Sequence, residues 1–567
     1  MDNFFTDNPD ILWRFEHLDM EDVVASRENG YQQASQYEDA PHSYADAKAG
    51  YRSVMEMTGA ICAREIAPLA AEVDREGAHF ENGAVRYAAG TERAMHVLAQ
   101  SGLMGMMIPR KWGGLNFPGV LYTIGIEMVS QADGSLMNMF GLQDIAETIH
   151  EFASDELKDK YLPLFTSGKA TGAMTLTEPD AGSDLQSVRL KAVQQPDGGW
   201  KLFGVKRFIT NGCADISLVL ARSEEGSLDG RGLSMFVCEK CPELVVRRIE
   251  NKLGIHGSPT CELQFNGVPG ILVGQRRMGL IRYVMALMNG ARVAVAAQSV
   301  GIAQAAYEEA LKYAKKRIQF GKPIFEMPQV YDILVRMKNR IQASRAITYE
   351  AARLVDVRRM IEQQLETAPS PELKAKFKEC SSWAAVLTPM AKAYASEMAI
   401  QVTYDAIQIH GGAGYMKEFN VERHSRDARI TTIYEGTTQL QVVGASAGIT
   451  SGTFGNYLMQ LGERNFRPDL MRLSSLCREM RERLNACVTC LKTLNDRTYS
   501  ELVSRHLVDF ACDALGAHLL LNEADIDPAR TLAAERFIRD AAPRMRMQAE
   551  YVTSGDKLVI ENRLALV

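Results

Sequence analysis

From about residue 188 the hydrophobic period of this chain changes, and that change limits its fold more than any other feature. Val188, Leu190 and Ala192 alternate with polar neighbours, Pro196-Asp197-Gly198-Gly199 makes a turn, and Trp200-Lys201-Leu202-Phe203 resumes an extended run. Further short strands are predicted at 217–221, 233–238, 244–249 and 261–265, punctuated by Gly and Pro. Roughly 100 residues of strands inside an otherwise helical chain read as a separate β domain or barrel.

The flanks are helical. Residues 51–169 carry apolar clusters at helical spacing, broken by the loop Ile108-Pro109-Arg110-Lys111-Trp112-Gly113-Gly114. Beyond residue 280, Val293, Ala297, Val300, Tyr307, Leu311 and Ala314 share one helix face. Leu334, Met337, Ile341, Thr348 and Val355 repeat the pattern, as do Trp383, Leu387, Met390, Tyr394, Met398 and Val402. With one more helix after residue 435 they suggest a four-helix bundle. Amphipathic helices are also expected near 471–494, 499–521 and 528–551. The fold class is therefore α+β and mostly α. In order, the expected parts are an N-terminal extension (1–45, irregular apart from an amphipathic stretch at 11–24), an N-terminal helical domain (46–169), a central β-barrel-like domain (170–278), a C-terminal four-helix bundle (279–450) and an extra C-terminal helical domain (451–567).

A net charge of −6 over 567 residues gives no basic footprint for nucleic acid. No run of about 18 apolar residues is seen, so no membrane span is expected. Residues 1–20 have no basic start and no apolar core, so no signal peptide is expected. Ten scattered cysteines favour a reducing compartment, the cytoplasm. The pairs Cys238/Cys241 and Cys487/Cys490 have no flanking His pattern, and no metal site is expected; Cys487 and Cys490 read as buried small residues on a helix.

Chemistry gathers in five segments. In Arg429–Val443 an apolar approach (Ile430, Ile433, Tyr434) meets Glu435 and Gly436, and Thr437 or Thr438 can cap a helix bearing Leu440, Val442 and Val443. A carboxylate between apolar walls has a raised pKa and can act as a general base; alone, the same Glu reads as a solvated first-turn acid. Thr175–Asp184 places hydroxyls and a Gly-Ser step against something planar or anionic. Lys206–Gly212 sets an aromatic and a hydroxyl at a strand end. Lys316–Lys322 puts a cation and an aromatic at a helix end, suited to a pyrophosphate and an adenine face. Gln408–Tyr415 closes a helix in a Gly-rich loop.

In this order and at these separations the segments closely resemble the acyl-CoA dehydrogenase flavoproteins. T-E-P-x-A-G-S-D, F-I-T-N-G, R-x-x-F-G, Q-I-x-G-G-x-G and Y-E-G-T all match, over about residues 50–450. The resemblance implies FAD as cofactor and an acyl-CoA substrate. Met174, Leu176 and Thr177 are then contacts to the isoalloxazine edge, and Ser183 lies between cofactor and CoA. Phe208 and Thr210 stack on and hydrogen-bond the flavin. Arg317, Phe320, Gln408 and Gly412 hold the pyrophosphate and adenine of FAD in a neighbouring subunit. Thr437 and Gln439 complete the cofactor contacts, and Asn289 and Arg292 lie on a helix facing the acyl-CoA. Glu435 is the implied catalytic base, removing the α-proton while a hydride leaves the β-carbon for flavin N5. The backbone N–H at Glu435 and a ribityl hydroxyl polarise the thioester, and Gly436 leaves room for substrate. The implied partners are an electron-transferring flavoprotein and further copies of the chain, as homodimer or homotetramer.

Two departures stand out. Ala291 occupies the position where some members carry the base. Gly274-Gln275-Arg276-Arg277-Met278-Gly279 replaces an acidic family motif, with a contact to CoA phosphates as one hypothesis for its arginines. Rival readings are an acyl-CoA oxidase, a decarboxylating glutaryl-CoA-type dehydrogenase, for which Arg110 and Lys111 are loop candidates for the needed cation, and a nucleic-acid-associated flavoprotein of the alkylation-response branch.

Overall fold

Backbone pairing turns the strand-rich stretch into a closed ring. The computed structural model describes residues 1–567, which divide into two compact units, Met1–Ala294 with Tyr415–Ile430 and Val295–Gly414 with Thr431–Val567. In the first unit the strands are β1 (Gly172–Thr175), β2 (Lys191–Gln194), β3 (Trp200–Thr210), β4 (Ile216–Arg222), β5 (Leu233–Glu239), β6 (Leu244–Ile249) and β7 (Thr260–Leu272). The ring runs β2–β3–β7–β5–β4 and returns to β2 through the pair Lys191↔Arg222. β1 pairs in parallel with β4, and β6 pairs antiparallel with β7, both off the ring.

Alternation along β4 explains why the strands look so apolar. Ile216, Leu218 and Leu220 join a core with Ile145, Ile149 and Phe165 of the helices, while Val219 and Ala221 join Leu202, Phe236 and Leu263 in a second core. Both faces are covered, so hydrophobic residues run consecutively. The strands expected at 217–221, 233–238 and 244–249 agree with these limits to within a residue at each end. The one expected at 261–265 continues to Leu272, because pairing with Trp200–Phe203 carries it across Gly267 and Pro269. Pro269 is exposed, where a missing N–H costs least. The mostly helical α+β architecture with a central barrel-like sheet is thus the one expected.

The extension is more ordered than its polarity suggests. α1 (Pro9–Glu16) starts from Asn8, whose side chain accepts from the N–H of Asp10 and Ile11, and α2 (Glu21–Arg27) follows. Phe5, Ile11, Phe15, Val23 and Val24 are buried. A buried ion pair, Arg110 Nη1 to Glu28 Oε2 at 2.7 Å, ties this segment to the 108–114 loop, and Arg27 Nη2 donates to Met107 O at 2.7 Å.

In the second unit, α3 (Met285–Lys316, from Val295 onward), α4 (Pro328–Thr367), α5 (Pro371–His410) and α6 (Thr438–Thr450) form the bundle. Arg345 of α4, almost wholly buried, donates to Gln304 of α3 at 2.9 Å. The stretch Gly279–Lys316 is long and apolar enough to cross a membrane by length and composition, contrary to the expectation of no such run; half of that window is buried. α7 (Met471–Leu494), α8 (Arg497–Ile526) and α9 (Thr531–Thr553) pack in the same unit. Asp513 of α8 accepts from Tyr394 of α5 at 3.0 Å and from two nitrogens of Arg544 of α9 at 2.9 Å each.

Glu28→Ala leaves the buried Arg110 with the exposed Asp39 as its one carboxylate and a long hydrogen bond to Gln33, a loss of about 3 kcal/mol. Limited trypsin digestion should then cleave after Arg14 or Arg27 roughly tenfold faster than in wild type; an unchanged rate would mean that apolar contacts alone hold the extension.

Candidate active site

Glu435 sits at a strained corner. Its φ is +54° and that of Gly436 is +87°. Left-handed backbone costs a non-glycine residue about 1–3 kcal/mol unless its surroundings fix it. Here they do. Lys392 Nζ of α5 donates to Gly436 O at 2.7 Å, and Gln441 Nε2 of α6 donates to Glu435 O at 3.0 Å and to Gly436 O at 3.1 Å. Thr438 N donates to Thr432 O at 3.0 Å, closing the loop, and Thr437 caps α6 by accepting from Leu440 N. Thr438 Oγ1 donates to Glu397 of α5 at 2.8 Å, and Tyr434 donates to Gln298 of α3. The φ of Gly436 favours glycine, and a Cβ there would lie 2.6 Å from Gln441 Nε2 and displace that donor from the two carbonyls. Of the apolar residues on α6, Leu440 and Val443 are exposed; Val442, Ala445 and Ile449 are the buried set, as helical spacing from Thr438 requires.

In the first unit, the positions expected to meet the cofactor gather around β1 and the end of β3. Leu176 is buried, Met174, Thr177 and Thr210 are half-buried, and Ser183 is exposed beside Gly182. Phe208 lies at the second register shift between β3 and β7, takes a φ of +59° and leaves 52% of its surface open. The bulge turns the ring outward, and Arg207 stacks over it at 4.6 Å. A buried pair that sequence reasoning passed over holds the two segments together. Lys206 Nζ, fully buried, donates to Leu176 O at 2.6 Å and pairs with Glu178 Oε1 at 3.0 Å. Glu178 also accepts from the N–H of Arg189 and Leu190, and Arg207 N donates to Thr177 O. Burial pulls the Lys206 ammonium down to about 8. Opposite charges stand in the Thr175–Asp184 and Lys206–Gly212 segments, but each reads as solvated in isolation.

At the start of α3, Arg292 Nη1 donates to Asn289 Oδ1 at 3.1 Å, and Gly290 faces the Asp144 carboxylate. Ala291 is buried. Arg276 pairs with Glu224 at 2.6 Å and lies over Trp200, which accounts for one of the arginines in the unusual 274–279 loop. Arg110 is held by Glu28, and Lys111 pairs with Asp159 at 3.3 Å, so neither is an uncommitted cation.

A further group lies at the other end of the bundle in the second unit. Phe320 and Gly321, at φ +52° and +77°, make a two-residue hairpin between Ile318–Gln319 and Lys322–Pro323. Positive φ at both turn positions matches the twist of the paired strands. Phe320 is 94% exposed, and Arg317 is exposed and makes no ion pair. Tyr313 stacks on His410 at 4.2 Å, so the turn of α3 that precedes Arg317 lies against the end of α5 that carries Gln408. A Cβ on Gly412 would meet nothing within 4 Å, so its backbone is open to a ligand. Thr437 and Gln439 belong to the Glu435 corner instead. Lys392 and Gln408 are separated by sixteen positions on α5, a rise of about 24 Å.

The model of the acyl-CoA dehydrogenase N-terminal domain matches residues 49–169, that of the middle domain 173–268 and that of the C-terminal domain 281–447. A further model, acyl-CoA dehydrogenase C terminal, matches 450–557. The chain is 36% identical over 420 residues to the 3-methylmercaptopropionyl-CoA dehydrogenase of Ruegeria pomeroyi, covering 69% of each. Butyryl-CoA dehydrogenase from Megasphaera elsdenii superposes with a TM-score of 0.61 at 30% identity, over 70% of this chain and 97% of that one. A chain in the structure of the electron transferring flavoprotein of Acidaminococcus fermentans gives 0.61 at 31% identity, over the same shares.

Lys206→Met removes the counter-charge of a buried carboxylate that keeps two backbone donors, and should cost about 3 kcal/mol of stability. The folded lysine titrates near 8, against about 10.4 in an unfolded chain. Between those values the unfolded chain holds a proton that the folded one has released. Wild type should therefore gain stability relative to K206M as pH rises from about 8 to about 10 in thermal melts; a constant difference would contradict it.

Proposed function

The chain belongs to the acyl-CoA dehydrogenase family of FAD-dependent oxidoreductases, and from that premise we propose that it desaturates an acyl-CoA thioester between Cα and Cβ, giving the trans-2-enoyl-CoA, with Glu435 as the base. The observation that carries this reading is the Glu435–Gly436 corner. Two backbone carbonyls clamped by buried or half-buried side chains make it a rigid mount for one carboxylate, unlike a solvated surface acid.

FAD fits the residues at hand: an exposed aromatic face at Phe208 beside Thr210, and an unpaired guanidinium at Arg317 beside an open Gly backbone and the exposed Phe320. Met174, Leu176, Thr177, Phe208, Thr210, Thr437 and Gln439 would hold the flavin, with Ser183 between it and CoA. Arg317, Phe320, Gln408 and Gly412 would hold the pyrophosphate and adenine. When bound, FAD supplies the two-electron acceptor for the hydride leaving Cβ. Glu435 takes the α-proton onto its carboxylate. Its backbone N–H donates to the thioester oxygen and stabilises the enolate-like charge that develops there. Gly436 offers no side chain where the thioester must approach, and Asn289 and Arg292 contact the acyl-CoA. The electrons then pass to an electron-transferring flavoprotein, a partner supported by the similarity to a chain in such a protein's structure. Simple desaturation is favoured over decarboxylation because Arg110 and Lys111 are both engaged by carboxylates. Ten free thiols suit a reducing compartment such as the cytoplasm.

Glu435→Gln should retain FAD and bind acyl-CoA, yet reduce the cofactor about 10²–10⁴-fold more slowly in an anaerobic titration followed by flavin absorbance. Near-wild-type reduction would overturn the assignment of the base.

A further inference from the structure

We propose that Lys392 is a positioning residue for Glu435: its buried ammonium grips the Gly436 carbonyl and thereby holds the left-handed corner from which the carboxylate and its neighbouring N–H act. The inference rests on the proposed role of Glu435 and deepens it.

Lys392 lies in the middle of α5 and is fully buried. A buried lysine is costly in a helix core, where Met would fill the same volume without desolvating a charge. Its ammonium reaches the Gly436 carbonyl at 2.7 Å, one residue beyond Glu435. That carbonyl also accepts from Gln441, which bridges to the carbonyl of Glu435 itself. These donors act on the two peptides that flank the φ +54° and φ +87° positions, so they oppose relaxation of the strained corner toward ordinary backbone. The helix bearing Lys392 is itself held from outside the bundle, since Tyr394, two residues on, donates to Asp513 of α8, and Arg544 of α9 pins the same carboxylate. Lys392 also supplies a charge that Gln441 lacks, and a charge-assisted bond to a carbonyl is the stronger of the two.

The test compares wild type, Lys392→Met and Lys392→Arg as full chains carrying FAD, with two readouts. Hydrogen–deuterium exchange of the peptides spanning 432–443 reports the corner without any turnover. Anaerobic reduction by an acyl-CoA reports its effect on proton removal. In K392M, exchange at 432–443 should rise roughly tenfold while the rest of α4 and α5 stays protected. The reduction rate should fall about 10–100-fold with little change in KM for the acyl-CoA, and K392R should recover part of both. Wild-type exchange and rate in K392M would overturn the proposal. So would exchange rising evenly through the bundle with no recovery in K392R, which would make Lys392 a stabiliser of the helices only. Should K392M fail to fold, Lys392→Gln is read by the same criteria. If no acyl-CoA reduces the wild type, the proposed reaction fails, and the exchange data still decide whether Lys392 holds the corner.

Discussion

Positive φ at residues other than glycine is the constraint on which the candidate site depends. Glu435, Phe208 and Phe320 all take it, at +54°, +59° and +52°. Such a residue points its side chain where neither helix nor strand would, and it stays there only while neighbouring hydrogen bonds outweigh the strain. Each position has a different restraint. A bulge between β3 and β7 holds Phe208, a two-residue hairpin holds Phe320, and the Lys392–Gln441 clamp holds Glu435. The aromatic rings are left facing outward, 52% and 94% exposed, which is an arrangement for meeting a flat partner and not for packing a core.

The barrel makes the first of these displays possible. Closing a ring from five strands requires sharp local turning, and the register shifts along β3 supply it. The second shift falls between Lys206 and Ile209, so the irregularity that helps to close the barrel also ejects Phe208. Lys206 is turned inward at the same place and fixes the Thr177–Glu178 segment through Glu178 and Leu176 O. One local distortion thus serves both fold and site.

Much of this was legible in the chain. Alternation marked the strands, helical spacing marked the bundle, and the five segments marked Glu435, Phe208 and Arg317, because side-chain chemistry and local period are properties of short windows. What was not legible depends on distant partners. Nothing near Lys392 or Lys206 in sequence reveals that one will reach a carbonyl 44 residues away, or that the other will pair with Glu178. The extension read as irregular because the apolar surface that orders Phe5 and Phe15 is supplied by other parts of the unit. The residues named for α6 did not say which of them face inward: the helix buries Val442 and Ala445 and leaves Leu440 and Val443 exposed.

Distances along α5 carry a last consequence for the proposed reading. Lys392 touches the Glu435 corner, and Gln408 lies about 24 Å further along the same rod, at the end that also carries the Arg317 and Phe320 group. A helix of this length, braced by α4 and by the C-terminal helices, cannot fold its two ends onto one another. The exposed hairpin, the unpaired guanidinium and the open glycines therefore form a surface distinct from the corner of their own bundle. Under the proposed reading this surface, and not the corner, is where the pyrophosphate and adenine of FAD would be held.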